Sequence, residues 1–265
     1  MMWYGQPAAL LRLDYRRHGD DVPDWALVLP PTGDVRTWLV NIHGHGSEGD
    51  QLYTRDDIRE MWLAHYLRRG FGILTPNLRG NGWMSPSVVM DMDNLLDFLR
   101  SRYGAERFLF DGGSMGGTSS LIYATLRPEN VSGLSVRGAA TDLVFYLDYC
   151  QRQRNIPSDP EWHSVVLGQI ADAIIEHYGG TPDECPEVYR AHSAVYHTER
   201  LRGIPFLFSH GVHDAIMPVV MARRFAAAMA DNPDFTYVEM PGGEHDAPLS
   251  LGYTAGTAAF LPAFL

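Results

Sequence analysis

The sequence predicts an α/β protein with a mostly parallel central sheet and helices on both faces. Short apolar runs alternate with helix-like stretches over most of the 265 residues, and repeated strand-helix units of this kind build parallel sheets. One run, Thr37-Trp38-Leu39-Val40-Asn41-Ile42, is apolar almost throughout rather than at every second position, as expected of a strand covered on both faces. Another, Phe108-Leu109-Phe110, leads through Gly112-Gly113-Ser114-Met115-Gly116-Gly117 directly into a helical stretch at 118–126. A strand there passes to a helix through a very sharp turn.

Taken in order, residues 10–15 and 25–29 read as strands divided by a polar segment and closed by Pro30-Pro31-Thr32-Gly33-Asp34, an antiparallel edge. The strand at 37–42 stops at His43-Gly44-His45-Gly46, and residues 55–69 then place Ile58, Met61, Trp62 and Tyr66 at helical spacing. A strand at 71–75 leads into Pro76-Asn77-Leu78-Arg79-Gly80-Asn81-Gly82. Ser85 is a natural N-cap with Pro86 at the first helical position, and Val88, Met92, Leu95 and Leu99 form one buried stripe. Strands follow at 107–110 and 133–136, with the helix between them ending before Pro128.

Residues 142–198 break the alternation. They are rich in aromatic and polar groups and hold helical segments such as 165–178 without a clear strand, which predicts a cap-like insertion over the sheet. Alternation resumes with a strand at 205–209, a helix at 219–230, a strand at 235–240 and a closing helix at 253–265. No repeat or low-complexity linker intervenes, so 1–265 is expected to form one domain carrying that insertion.

Composition narrows the function. With 45% hydrophobic and 20% charged residues the chain has a globular composition, and a net charge of −11 opposes binding to phosphate backbones or anionic membranes. Neither nucleic acid nor a membrane is an expected partner. All 21 basic residues are arginine, which excludes a lysine Schiff base or a Ser-Lys pair. Cys150 and Cys185 are too few and too far apart for a metal site or a disulfide framework, though one disulfide stays open. The first apolar run, 8–11, is cut short by Arg12, so no secretory signal is read and a cytoplasmic location is expected.

A serine between glycines at a strand-to-helix turn is a nucleophile elbow. The turn forces Ser114 into a strained backbone conformation, side chains at 112 and 116 would collide across it, and the hydroxyl is left exposed. The N–H of Met115, at the helix start, points toward an oxyanion forming on the attacked carbon. Such a serine needs a histidine to take its proton and an acid to orient that histidine. In hydrolase order the acid follows a late strand and the histidine follows the last one. Asp214 occupies the first position, in Ser209-His210-Gly211-Val212-His213-Asp214, and His245 the second, in Pro241-Gly242-Gly243-Glu244-His245. Asp246 and Asp142 are weaker rivals for the acid, one too close to His245 in sequence and one ahead of the expected position.

These motifs, with His43-Gly44-His45-Gly46 and Asn77-Leu78-Arg79-Gly80-Asn81-Gly82, resemble the α/β-hydrolase superfamily, most closely prolyl-oligopeptidase-like hydrolases and related esterases. The resemblance spans about 37–250. It implies Ser114 as nucleophile, Asp214 as acid, His245 as base, and the N–H groups of His45 and Met115 as the oxyanion hole, with no cofactor and no metal. It also makes His43 and His210 loop-supporting residues rather than metal ligands, and Arg79 a loop anchor rather than a carboxylate receptor. Peptidases of that family carry an N-terminal β-propeller, and what precedes Thr37 here favours a free-standing esterase. Trp83, Phe145, Tyr146 and His213 are candidates for the substrate pocket, with packing as the alternative for the first three and plain exposure for His213. The expected activity is hydrolysis of small-molecule carboxylic esters of short acyl groups, with carbohydrates among the candidate alcohols. An aminopeptidase-like or amide hydrolase, and a hydrolase-fold protein that binds without turnover, are the alternatives.

Overall fold

The strand-helix alternation becomes one sheet because each apolar strand needs cover on both faces and the helices between strands supply it. The computed structural model describes residues 9–157 and 160–248, apart from the side chains of Met61 and His65. The helix expected at 253–265 lies outside the described residues. Within them, β1 (Leu11–Arg16), β2 (Pro23–Leu29), β3 (Thr37–Ile42), β4 (Gly72–Pro76), β5 (Arg107–Gly113), β6 (Gly133–Arg137), β7 (Phe206–Gly211) and β8 (Phe235–Met240) pair in the order β1-β2-β4-β3-β5-β6-β7-β8. The pairs β1–β2 and β2–β4 are antiparallel, forming the expected edge, and every later pair is parallel. β3, β4, β6 and β7 are buried along their whole length, whereas β8 is only partly covered.

Strand alternation sorts the core into two clusters. Leu39, Ile73 and Leu109 face Leu52, Tyr53, Trp62, Leu63 and Tyr66 of the chain between β3 and β4. Val40, Leu74, Phe110 and Val136 face the larger cluster on the other side, where α4 (Pro86–Tyr103) and α5 (Met115–Leu126) pack. The stripe predicted for α4 is buried as expected, and Gly104 at φ 64 ends that helix. Nearer the carboxyl ends of the strands, the first face turns polar. Asn41 pairs in register with Asp111 and Asp111 with Ser135, while Gly113 pairs with Arg137.

The helix expected at 55–69 is present over 56–68, but its middle turn is π-helical. It follows α1 (Gln51–Thr54) as α2 (Asp56–Ile58), a π-helical turn (Arg59–Leu63) and α3 (Ala64–Arg68). The wider turn carries Trp62 over the Arg137 guanidinium, 4.3 Å from ring centroid to Cζ, while Tyr66 Oη donates to Asp111 at 2.9 Å. Helical spacing marks both aromatics as inward-facing but cannot show that their partners are ionised.

Between β6 and β7 the described residues form α6 (Leu143–Gln153), α7 (Trp162–Tyr178), α8 (Pro186–Ala191) and two 3₁₀ turns, followed after β7 by α9 (Val219–Ala228). This segment is more than a cover. Tyr146, Tyr178 and Tyr189 are buried in the main core, and the start of α7 reaches the carboxyl ends of the strands. None of the described helices is long and apolar enough to cross a membrane.

Candidate active site

Ser114 ends β5 and begins α5 with φ 56 and ψ −124, a conformation that non-glycine residues rarely adopt. Its surroundings hold it there. Its N–H donates to the Arg137 carbonyl at 2.9 Å, and its own carbonyl accepts from Thr118 N–H at 2.9 Å. A Cβ on Gly112 would lie 2.5 Å from the Gly116 carbonyl carbon, which is the collision the motif predicts. A Cβ on Gly116 would instead meet the Ile42 carbonyl oxygen at 2.0 Å. The second glycine is therefore required by the end of β3, not only by the turn itself.

Asp214 follows β7 and is buried. Its Oδ1 accepts from the N–H groups of Ile216 and Met217 at 2.9 and 2.7 Å, and its Oδ2 accepts from His245 Nδ1 at 2.8 Å. Both oxygens are thus engaged, which fixes the carboxylate plane and leaves His245 Nε2 as the unprotonated nitrogen. Burial disfavours the His245 imidazolium, but the Asp214 hydrogen bond and charge, with Asp246 adding to them, outweigh that, so its pKa is raised above the ordinary histidine value. Gly138, at φ 47, brings the end of β6 under this pair. A Cβ there would sit 3.3 Å from Asp214 Oδ2 and 3.6 Å from His245 Nδ1. Nothing in the sequence pattern pointed to Gly138.

Ser114, His245 and His45 line one cavity of about 240 Å³. Ser114 and His245 both border it, and among the described residues no hydrogen bond joins them. Catalytic contacts are often loose without substrate and close only in the complex.

The loop after β3 is held from both sides. Gly44 N–H donates to Gln51 Oε1 at 3.0 Å and Gly46 N–H to Asn81 Oδ1 at 2.8 Å. Between them the His45 N–H has no acceptor among the described residues, and neither has the Met115 N–H. The His45 ring accepts from Trp83 Nε1 at 3.3 Å, and burial, followed by the neighbouring His43, lowers its pKa to about 4. It stays neutral at physiological pH.

The remaining expectations divide. Trp83 is buried, at φ 47, bonded to His45 and accepting at its carbonyl from Tyr178 Oη at 2.9 Å. It supports the cavity from behind rather than lining it. Tyr146 is likewise buried, 5.8 Å from Trp83 ring to ring. Phe145, on the outer side of α6, lines a separate shallow depression with Tyr196 and Arg224, and the His213 side chain is exposed away from the cavity. All four proposed pocket residues are therefore displaced from the cavity, because an aromatic near a strand end reads alike whether it packs inward or faces a ligand.

The other weighed residues take structural places. Arg79 bonds to Asp91 at 2.7 Å, Asp20 at 2.9 Å and the His18 carbonyl at 2.6 Å, which ties the N-terminal hairpin to α4. Asp142 caps α6 and bonds Arg224 and Tyr196. His43 and His210 are buried against backbone carbonyls, and both cysteines are free thiols.

The residues missed are those brought in from a distance. Arg137 donates to Asp111 through two nitrogens at 2.5 and 3.0 Å, and Asn41 Nδ2 adds a bond to the same carboxylate at 2.8 Å. Asn41, Trp62 and Arg137 all border the cavity, together with Ile58, Val166, Ile170 and Ile216. The wall is mainly apolar with a few fixed polar groups, the usual build of a small-molecule site.

Comparison with known proteins agrees with this architecture. Residues 37–163 match the family described as alpha/beta hydrolase fold. The chain is 25% identical over 272 aligned positions to Esterase LipC of Mycobacterium tuberculosis, covering 97% of this chain but only 61% of that protein. Among solved structures it is similar to FphF, a fluorophosphonate-binding serine hydrolase of Staphylococcus aureus, with TM-score 0.68, 15% identity, and 98% and 100% of the two chains covered. It is also similar to a puromycin-hydrolyzing peptidase of Mycobacterium tuberculosis, with TM-score 0.66, 19% identity, and 99% and 41% covered. Sheet order, the strained serine turn after β5 and the match over 37–163 together make this chain a protein of the alpha/beta hydrolase fold.

Proposed function

We propose that this protein is a serine hydrolase that cleaves carboxylic esters of short acyl groups through an acyl-enzyme. The observation that carries the reading is the Asp214–His245 hydrogen bond of 2.8 Å, with His245 and Ser114 lining one cavity. Substrate binding closes the Ser114 to His245 contact, Ser114 Oγ attacks the ester carbonyl carbon, and His245 Nε2 takes the hydroxyl proton. The oxyanion lies between the N–H groups of His45 and Met115. As the tetrahedral intermediate collapses, its bond to the alcohol oxygen breaks and His245 returns the proton to that oxygen. Water then attacks the acyl-enzyme with His245 again as base, releasing the acid and restoring the serine. A neutral His45 adds no charge beside the oxyanion.

The similarity to an esterase and to a fluorophosphonate-binding hydrolase supports the ester reading. The similarity to a peptidase makes amide hydrolysis the second reading, which peptide anilides would distinguish from nitrophenyl esters. The direct test is a fluorophosphonate probe followed by mass spectrometry. The expected result is one adduct on Ser114, and an unlabelled Ser114 overturns the proposal.

The pH dependence follows from the sign of the His245 shift. The base must be neutral, and its pKa is raised by Asp214, so the acid limb of kcat/KM should lie above the ordinary histidine range. Asp214→Asn removes the acceptor charge and leaves burial, which should move the limb downward while kcat falls by roughly 10⁴ as the tautomer is lost. A pH–rate series on both proteins checks it. An unmoved limb would show that Asp214 does not act through His245.

A further inference from the structure

The residues lining the cavity order it from mouth to inner end by how much of each is exposed. Trp162 is 53% exposed, and the side chains of Arg55 and Asp246 are 41% and 75% exposed, so these stand at the mouth. Trp62 at 3% and Arg137 at 5% border the same cavity while almost wholly buried. With Ile42, Ile170 and Ile216, which line the cavity and are equally buried, they form its inner part. The polar side of that part is an indole against a guanidinium, brought together from the π-helical turn and the end of β6.

This wall is held rigidly. Trp62 packs on Tyr66 with ring centroids 5.9 Å apart, and Tyr66 and Arg137 both bond to Asp111. A π-helical turn within a helix often marks a functional position, and here it turns Trp62 toward the cavity. The guanidinium behind the indole already holds the Asp111 carboxylate through two nitrogens, so the inner end presents no unbalanced charge.

In the ester-hydrolase reading, on which this inference rests, His245 delivers a proton to the leaving alcohol. Asp246, next to His245 in sequence, and Arg55, 3.9 Å from its carboxylate, both stand at the mouth, so an alcohol leaving on that side points outward and the acyl chain inward. We propose that Trp62, held in place by Arg137, sets the acyl-chain length, so that short uncharged acyl groups are accepted and chains that would have to pass the indole are rejected.

The test compares 4-nitrophenyl butyrate with the octanoate, and butyl with octyl fluorophosphonates, on the native protein, Trp62→Leu and Trp62→Phe. Folding of each variant is checked by thermal unfolding, since a large-to-small change in a core cluster lowers stability. Trp62→Leu should raise the octanoate-to-butyrate ratio of kcat/KM about tenfold, and Trp62→Phe, which keeps a ring against the guanidinium, about threefold, in line with the discrimination a methylene provides in an apolar pocket. Probe rates on Ser114 should shift in the same direction. If Trp62→Leu does not fold, Trp62→Phe decides. Unchanged ratios in folded variants whose Ser114 still reacts overturn the Trp62 assignment and leave the hydrolase reading standing. A native protein whose Ser114 reacts with no probe overturns both.

Discussion

Ser114→Ala should lower kcat for a chromogenic ester by on the order of 10⁵ to 10⁶, because removing the nucleophile of a triad costs nearly as much as removing the whole triad. The variant should still fold, since alanine meets the same backbone restriction at φ 56 that serine does. Ser114→Gly separates chemistry from strain. It should be equally inactive yet more stable than Ser114→Ala by about 1–2 kcal/mol, as glycine accepts the left-handed conformation without penalty. Ester turnover and urea unfolding on both variants check the pair of expectations. Turnover within tenfold of the native rate in either one would remove Ser114 from the reaction.

The second large effect is on the fold. Arg137→Met leaves the Asp111 carboxylate buried with Tyr66 and Asn41 as donors but no cation, and breaking a buried pair from one side costs roughly 3–5 kcal/mol. The double change Arg137→Met with Asp111→Leu should recover part of that loss, because the uncompensated charge goes while the Tyr66 and Asn41 donors lose their acceptor. Urea unfolding of the single and double variants measures this. If the double variant is no more stable than the single one, the ion pair is not the source of the effect. Asp111 sits two residues ahead of Gly113 on the strand that presents Ser114, so the single variant should also lose turnover.

What the sequence revealed, and what it hid, follows from range. The elbow is legible because its constraint is local: six consecutive residues must make one turn, and only glycine fits at three of them. Asp214 and His245 are legible because each is tied to a strand end, and strand ends can be read from apolar runs. Arg137 and Asp111 look like ordinary charged residues at strand termini, and nothing in either segment says that 26 residues later one holds the other in the interior. Trp62 shows the same limit from the other side. Its spacing correctly marks it as inward-facing, but the π-helical turn that aims it at the cavity depends on partners from β5 and β6. Trp83 and Tyr146, expected in the pocket, form its backing instead, since a buried tryptophan beside a histidine and one beside a ligand leave the same trace in sequence.

The loop after β3 is gripped by two amides from different parts of the chain, Gln51 on the Gly44 N–H and Asn81 on the Gly46 N–H. Both bonds form within the folded protein, so less of the loop's conformational entropy is lost when a substrate arrives. Those two amides are therefore an adjustment point: shortening either would leave the sheet and the serine in place while letting the donor at His45 wander. Such a loss would appear as weaker binding of a tetrahedral boronate with the affinity for the planar ester little changed.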